Sequence, residues 1–414
     1  MTFFEKAAVA AALLLAAPHS FADELDDMLA ARLAESPLRY AEAAEAVAEK
    51  AAVGDTLCAF ALAVVSREPD APKSVRMSPE NRMRTIERTR RTVVSMSRAH
   101  GREGLNAAYL IGLEKGGGRA LKAAAEADCA HALNEYGAAV LQSAMKSGAR
   151  SSASVAAQRA SFGYFNRAAA QNDANGLYNL GVCYLRGWGC ARNAAQAMEC
   201  LNKAAAQSHP KALNLIGAMY ADGRGAGADE PDPAFPRKDP VAATRYFAQS
   251  SSLGNAMGKY RYAQAMLSGE GMDKNPRRAE LLLGEAAGQR LPEAMDAYAA
   301  ILSSSNDEES RKKAIEVWMQ CVAIHSYPPS MDKLGGALLA GRGAPKDEKK
   351  AVKLFTLAAD AGNVEAMRHL ADCHDIGLGG LKKSHWNANW WRTNANATQG
   401  DRNAMIWIST HTME

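Results

Sequence analysis

Leu177-Tyr178-Asn179-Leu180-Gly181-Val182-Cys183-Tyr184-Leu185, followed by Gly187-Trp188-Gly189, is the stretch that decides the fold. Its apolar residues recur at helical spacing, which predicts a first helix. Gly187 and Gly189 flank one residue and permit positive φ, so the chain can leave that helix and reverse. Asn193 then caps a second helix, 194–207, with Ala197, Leu201, Ala204 and Ala205 as its apolar stripe.

The same grammar recurs outward. The small residue of the first helix appears at Gly181, Gly217, Ala263, Ala299, Gly335 and Ala371. Successive steps are 36, 46, 36, 36 and 36 residues. The one long step holds an extra Pro/Gly/Asp-rich stretch between Gly225 and Pro240. Turn glycines follow in pairs: Gly187 and Gly189, Gly223 and Gly225, Gly269 and Gly271, Gly341 and Gly343, Gly377 and Gly379. Small pairs mark the second helix at Ala204-Ala205, Ala286-Ala287 and Ala358-Ala359, with Ser251-Ser252 near the corresponding place. A fixed period of this length means stacked helical hairpins, so the expected fold is an all-α, right-handed α-α superhelix, a solenoid with a 36-residue period.

These residues resemble the Sel-one-like repeat family, relatives of the tetratricopeptide repeats. Leu180-Gly181, Tyr184, Gly187, Gly189, Ala197, Lys203-Ala204-Ala205 and Ala212 match its pattern. Leu334-Gly335, Gly341-Arg342-Gly343, Asp347, Lys350-Ala351, Phe355, Ala358-Ala359, Gly362 and Ala366 match it again. The resemblance implies a binding scaffold, an adaptor in envelope processes or in contact with a host cell. It covers about residues 132–405, and Gly137 anchors a further repeat before a Ser/Ala-rich extension near 147–154. Residues 406–414 read as a partial cap that hides the open end of the array.

Residues 23–131 read as divergent helical repeats. Lys50-Ala51-Ala52 looks like the end of a second helix, and 107–112 followed by Ala123-Ala124-Ala125 like a shortened unit. A basic insertion, 66–102, carries ten Lys or Arg residues. It reads either as a solvated helix face or as an electrostatic dock for an acidic partner, with Arg84, Arg88 and Arg91 as the candidate docking residues.

The N-terminus reads as a signal peptide over residues 1–22. Lys6 supplies the charge, Ala7 to Ala17 is an apolar run too short to span a bilayer, and Ser20-Phe21-Ala22 places the cut between Ala22 and Asp23. Export to the periplasm or beyond is the expectation. No later stretch is long and apolar enough to suggest an integral membrane segment.

Composition adds bounds. Of 414 residues 48% are hydrophobic, and the net charge of +4 makes no case for nucleic acid as a partner. The seven cysteines include no C-x-x-C, and their odd number leaves at least one outside any internal bridge. Cys183, Cys190 and Cys200 share one repeat, so Cys183 with Cys200 is the candidate disulfide; the other four read as small buried apolar residues.

Catalytic signatures are thin. No H-E-x-x-H, phosphate loop or G-x-S-x-G elbow occurs. Ser143-Ala-Met-Lys146 overlaps Lys146-Ser147-Gly148, two patterns that serine penicillin-recognising enzymes keep far apart, and S-x-x-K recurs at Ser208, Ser310 and Ser330. His369 and Cys373 stand at a metal-capable spacing beside His374, yet no further ligand is evident nearby except His385. No cofactor and no catalytic or metal residue is therefore assigned. Trp386, Trp390 and Trp391 form the densest aromatic cluster, with Trp390 near the family's aromatic position, and one exposed tryptophan there would be a binding anchor. The reading is an exported, non-catalytic scaffold that binds a protein or peptide on its concave surface. The alternatives are an envelope or β-lactam-metabolising hydrolase and a cell-wall-fragment binding protein.

Overall fold

A computed structural model describes residues 25, 28–32, 37–52, 55–66, 71, 73, 76–97, 102–114, 118–146, 151–223, 235–401, 404–405 and 407–408. Among the described residues the chain is helical, with no strand. It divides into two compact units, 1–258 with 270–272, and 259–269 with 273–414. The cleavage position at Ala22 and Asp23, and Gly225, lie outside the described residues.

The first unit begins with α1 (Pro37–Ala52), α2 (Thr56–Val65), α3 (Pro79–Met96), α4 (Arg102–Glu114) and α5 (Gly118–Glu126). Each packs on the next. Helix α2 is buried along almost its whole length and α3 lies against it. Within the basic segment α3 is packed: its Thr89 and Val93 are buried. Hairpins follow: α6 (Ala130–Lys146) with α7 (Ser152–Ala170), α8 (Ala174–Arg186) with α9 (Ala194–Ala206), and α10 (Pro210–Asp222) with α11 (Pro240–Ser252). The described end of the Ser/Ala-rich extension, 151–154, belongs to α7: Ser151 caps that helix and the buried Ser154 hydroxyl donates to Ala144 O.

The second unit holds most of α12 (Ala256–Ser268), then α13 (Pro276–Gly288), α14 (Pro292–Ser303), α15 (Glu308–His325), α16 (Pro328–Ala340), α17 (Glu348–Asp360), α18 (Val364–Ile376) and α19 (His385–Thr398). Helices α14 and α15 form a hairpin with no glycine pair: Ser304 ends α14 in an ordinary right-handed conformation. Polar caps recur in both units. Asp173, Asn193, Asp239, Asn275, Asp307, Asp347, Asn363 and Ser384 each accept a backbone N–H three residues on, a contact worth about 1 kcal/mol per helix.

Two kinds of glycine shape the repeat. The glycine inside the first helix lets a large side chain of the second helix lie against it. A Cβ at Gly181 would sit 2.9 Å from Leu201, at Gly217 2.7 Å from Phe247, and at Gly335 2.8 Å from Phe355. The turn glycines divide their work. Gly341 caps α16 at φ 66° and a Cβ there would meet nothing closer than 3.5 Å. Gly343, at φ 74°, has Arg311 O 2.5 Å from where its Cβ would be. That carbonyl belongs to the second helix of the preceding hairpin. Gly189 meets Gln158, Gly271 meets Pro240 and Gly379 meets Glu348 in the same way. Gly187, Gly223, Gly269 and Gly377 share the left-handed conformation of Gly341.

Candidate binding surface

First helices approach one another more closely than second helices do. In the second unit α14 touches α16 and α16 touches α18; in the first, α6 touches α8. Within either unit, among the described residues, no successive pair of second helices packs to that extent. In the second unit the first helices thus form the tighter side.

Polar side chains on that side link successive repeats. Asp296 of α14 is buried and accepts from three groups: Trp318 Nε1 at 3.2 Å, Ser330 Oγ at 3.1 Å and Lys333 Nζ at 2.5 Å. One period later Asp332 of α16 accepts from His369 Nδ1 of α18 at 2.7 Å. That bond, ahead of the opposing effect of burial, holds the His369 imidazole above its ordinary value. Sequence reasoning missed this ladder, though the signal was present: Asp296 and Asp332 are 36 residues apart, as are Lys333 and His369.

The candidate metal residues disperse. His369 is engaged with Asp332, His385 Nδ1 donates to Asp375 at 2.6 Å, and burial pushes the Cys373 thiol up to about 11. His374 is buried, which lowers its imidazole. No group of three or more His, Cys, Asp or Glu is placed to hold a metal ion among the described residues.

All seven cysteines are free thiols in this structure. Cys183 on α8 and Cys200 on α9 lie in one apolar cluster with Cys190 and Phe165. Burial, and then the neighbouring Cys190, pushes the Cys183 thiol up to about 12; burial also raises Cys190 and Cys200. Ser143 and Lys146 sit at exposed positions on α6.

Arg84, Arg88 and Arg91 are all exposed, at spacings of four and three along α3, so one face of the helix carries them. Thr89 and Val93 are buried on the same helix.

The tryptophans are arranged differently from the sequence expectation. Trp391, 36 residues after Phe355, is the buried aromatic of α19, and Trp390 is half-buried against the same core in an edge-to-face contact with it at 4.8 Å. Counting the period from Phe355 points to Trp391 where the family pattern had suggested Trp390. The exposed member is Trp386, whose ring lies 5.5 Å from that of Trp407. No helix among the described residues is long and apolar enough to cross a membrane.

Comparison with known proteins agrees with this architecture. A family model described as the Sel1 repeat matches residues 157–173, 174–209, 210–255, 256–290, 328–363 and 364–391. Five of these segments begin on the first residue of a first helix, at Ala174, Pro210, Ala256, Pro328 and Val364. Between 157 and 391 the matched segments skip the hairpin of α14 and α15, which lacks the glycine pair. No curated protein matches. Among solved structures, a protective antigen of uropathogenic Escherichia coli with an SLR fold is 20% identical over 89% of this chain and 93% of its own, with a TM-score of 0.50. A Sel1 repeat protein from Oxalobacter formigenes is 24% identical over 56% of this chain and 86% of its own, with a TM-score of 0.46. With six matched segments in phase with the helical pairs, this chain belongs to the Sel1-repeat proteins.

Proposed function

We propose that this chain is an exported, non-catalytic scaffold that holds a protein or peptide partner on the side built by its first helices. The observation that carries the reading is the close approach of α14, α16 and α18, which makes first-helix residues converge while second-helix residues diverge. A partner laid on the converging side touches several repeats at once, and side chains there can vary without disturbing the hairpins. Repeats of this family act as protein-interaction scaffolds. Export rests on Lys6, the Ala7–Ala17 run and Ser20-Phe21-Ala22.

A photo-crosslinking residue at Ile376, exposed on the first helix α18, should capture the partner in intact cells. The same residue at Leu357, exposed on the second helix α17, should not. Equal capture from both positions, or capture from Leu357 alone, refutes the first-helix assignment. Export has its own test: Leu14→Arg should accumulate a longer precursor in the cytoplasm, and normal processing of that variant refutes it.

A further inference from the structure

The second unit contains a cavity of about 340 Å³ between α14, α15 and α16. That volume falls at the lower end of ligand pockets, which run from about 300 to 1,000 Å³. Ala300, Ile315, Trp318 and Ala337 give it apolar walls. Three cations line it as well: Arg311, Lys333 and Arg342.

Their charges are unequally satisfied. Lys333 is paired with Asp296. Arg311 uses one nitrogen, Nη2, for both Glu308 and the carbonyl of Asn306. Its Nε is buried without an acceptor, and such groups normally have one. Arg342, in the turn between the two glycines, is exposed and has no acceptor among the described residues. Three positive charges face two carboxylates, which leaves one charge unmatched. A pocket with one surplus positive charge and apolar walls suits a single negative charge on a small hydrophobic group. A dianion such as phosphate would be undercompensated there, with Asp296 close by.

We propose that this cavity binds a carboxylate attached to a short apolar group, with Arg311 and Arg342 holding the carboxylate and Trp318 and Ile315 contacting the apolar part. The source is either the last residue of a peptide or a free small acid. A free acid can fill the site with no macromolecular partner present, so this proposal stands apart from the scaffold reading.

The test uses calorimetric titration of the full-length mature protein with five probes: N-acetyl-leucine, acetyl-Ala-Ala-Leu, the C-terminal amides of both, and inorganic phosphate. The two acids should bind, with the amides and phosphate weaker by about 10-fold or more. Arg342→Gln should weaken the acids by about 10-fold without changing the melting temperature, because its side chain is exposed. Arg311→Gln should do the same to the acids; if it unfolds, Arg342→Gln decides alone. Tighter binding of the tripeptide than of N-acetyl-leucine assigns the site to chain ends, and equal binding assigns it to free acids. Acid and amide binding equally, phosphate binding as tightly as the acids, an unchanged affinity in Arg342→Gln, or no binding of either acid at millimolar concentration each overturns the proposal. None of those results touches the crosslinking test of the scaffold.

Discussion

Asp332 stands one period after Asp296, and each takes a hydrogen bond from a basic side chain 37 residues further on, His369 and Lys333 respectively. The 36-residue period thus governs a polar ladder between repeats as well as the apolar core within them. An acidic residue on one first helix reaches the next first helix because those helices touch. The ladder ties stability to pH and to single buried carboxylates.

The first prediction concerns Asp296. Its carboxylate is buried and accepts from Trp318, Ser330 and Lys333. Asp296→Ala leaves the indole N–H and the buried hydroxyl without that acceptor. The expected loss is about 2–4 kcal/mol, read by denaturant unfolding. A loss under about 0.5 kcal/mol, the level of an ordinary surface change, would show that the network is dispensable.

pH should act through His369. Its folded-state value is raised, chiefly by the bond to Asp332. A raised value means that the folded protein holds the proton more tightly than the unfolded chain. The stabilisation is complete below the unfolded value of about 6.5 and is lost as pH rises through the folded value. Burial lowers His374, whose contribution has the opposite sign and fades as pH falls. Comparing wild type with His369→Gln removes that second histidine from the difference. The gap in melting temperature should shrink from about pH 5.5 to about pH 8.5. A gap that widens over that range refutes the assignment.

The turn glycines should not be equivalent. Gly341→Ala places a side chain at positive φ with its neighbours at ordinary contact distance, a cost of about 1–2 kcal/mol. Gly343→Ala meets the same φ penalty and drives a methyl group into Arg311 O, which adds about 1–3 kcal/mol. Equal melting temperatures for the two variants would mean that the second glycine answers only to φ.

Reversal of Arg84, Arg88 and Arg91 to Glu should leave folding within about 0.5 kcal/mol of wild type, since all three are exposed. Capture of an acidic partner should fall, most at low salt where screening is least. Undiminished capture by the triple variant at low salt would identify this helix face as merely solvated.

How much of this was legible in the sequence differs by feature. The hairpin period and the turn glycines were readable because left-handed backbone leaves its mark on residue type, as at Gly341 and Gly377. The α14–α15 hairpin was legible from Ala299 in phase, despite Ser304 in place of a glycine. The Asp–cation ladder was hidden because Lys333 and His369 are different residue types at the same repeat position, so no fixed letter recurs. The cavity was hidden for another reason. Arg311, Lys333 and Arg342 come from a second helix, a first helix and a turn, and only packing brings them together. The adjacent tryptophans misled because two aromatics in a row leave the helical face ambiguous by one residue, until Phe355 sets the phase.

The second glycine of each turn reaches back to the preceding hairpin: Gly343 to Arg311, 32 residues earlier, and Gly379 to Glu348, 31 residues earlier. A growing chain therefore cannot finish one hairpin until the first half of the next, its first helix and turn, has been made. At synthesis rates of about 5–20 residues per second, each newly formed second helix waits about 2–6 s for the turn that covers its first residues. Exposed start sites would travel along the nascent chain as a moving front, one hairpin behind the ribosome. A chain stalled between Arg311 and Gly343 would keep such a front open, and there a chaperone or a protease would find its first hold.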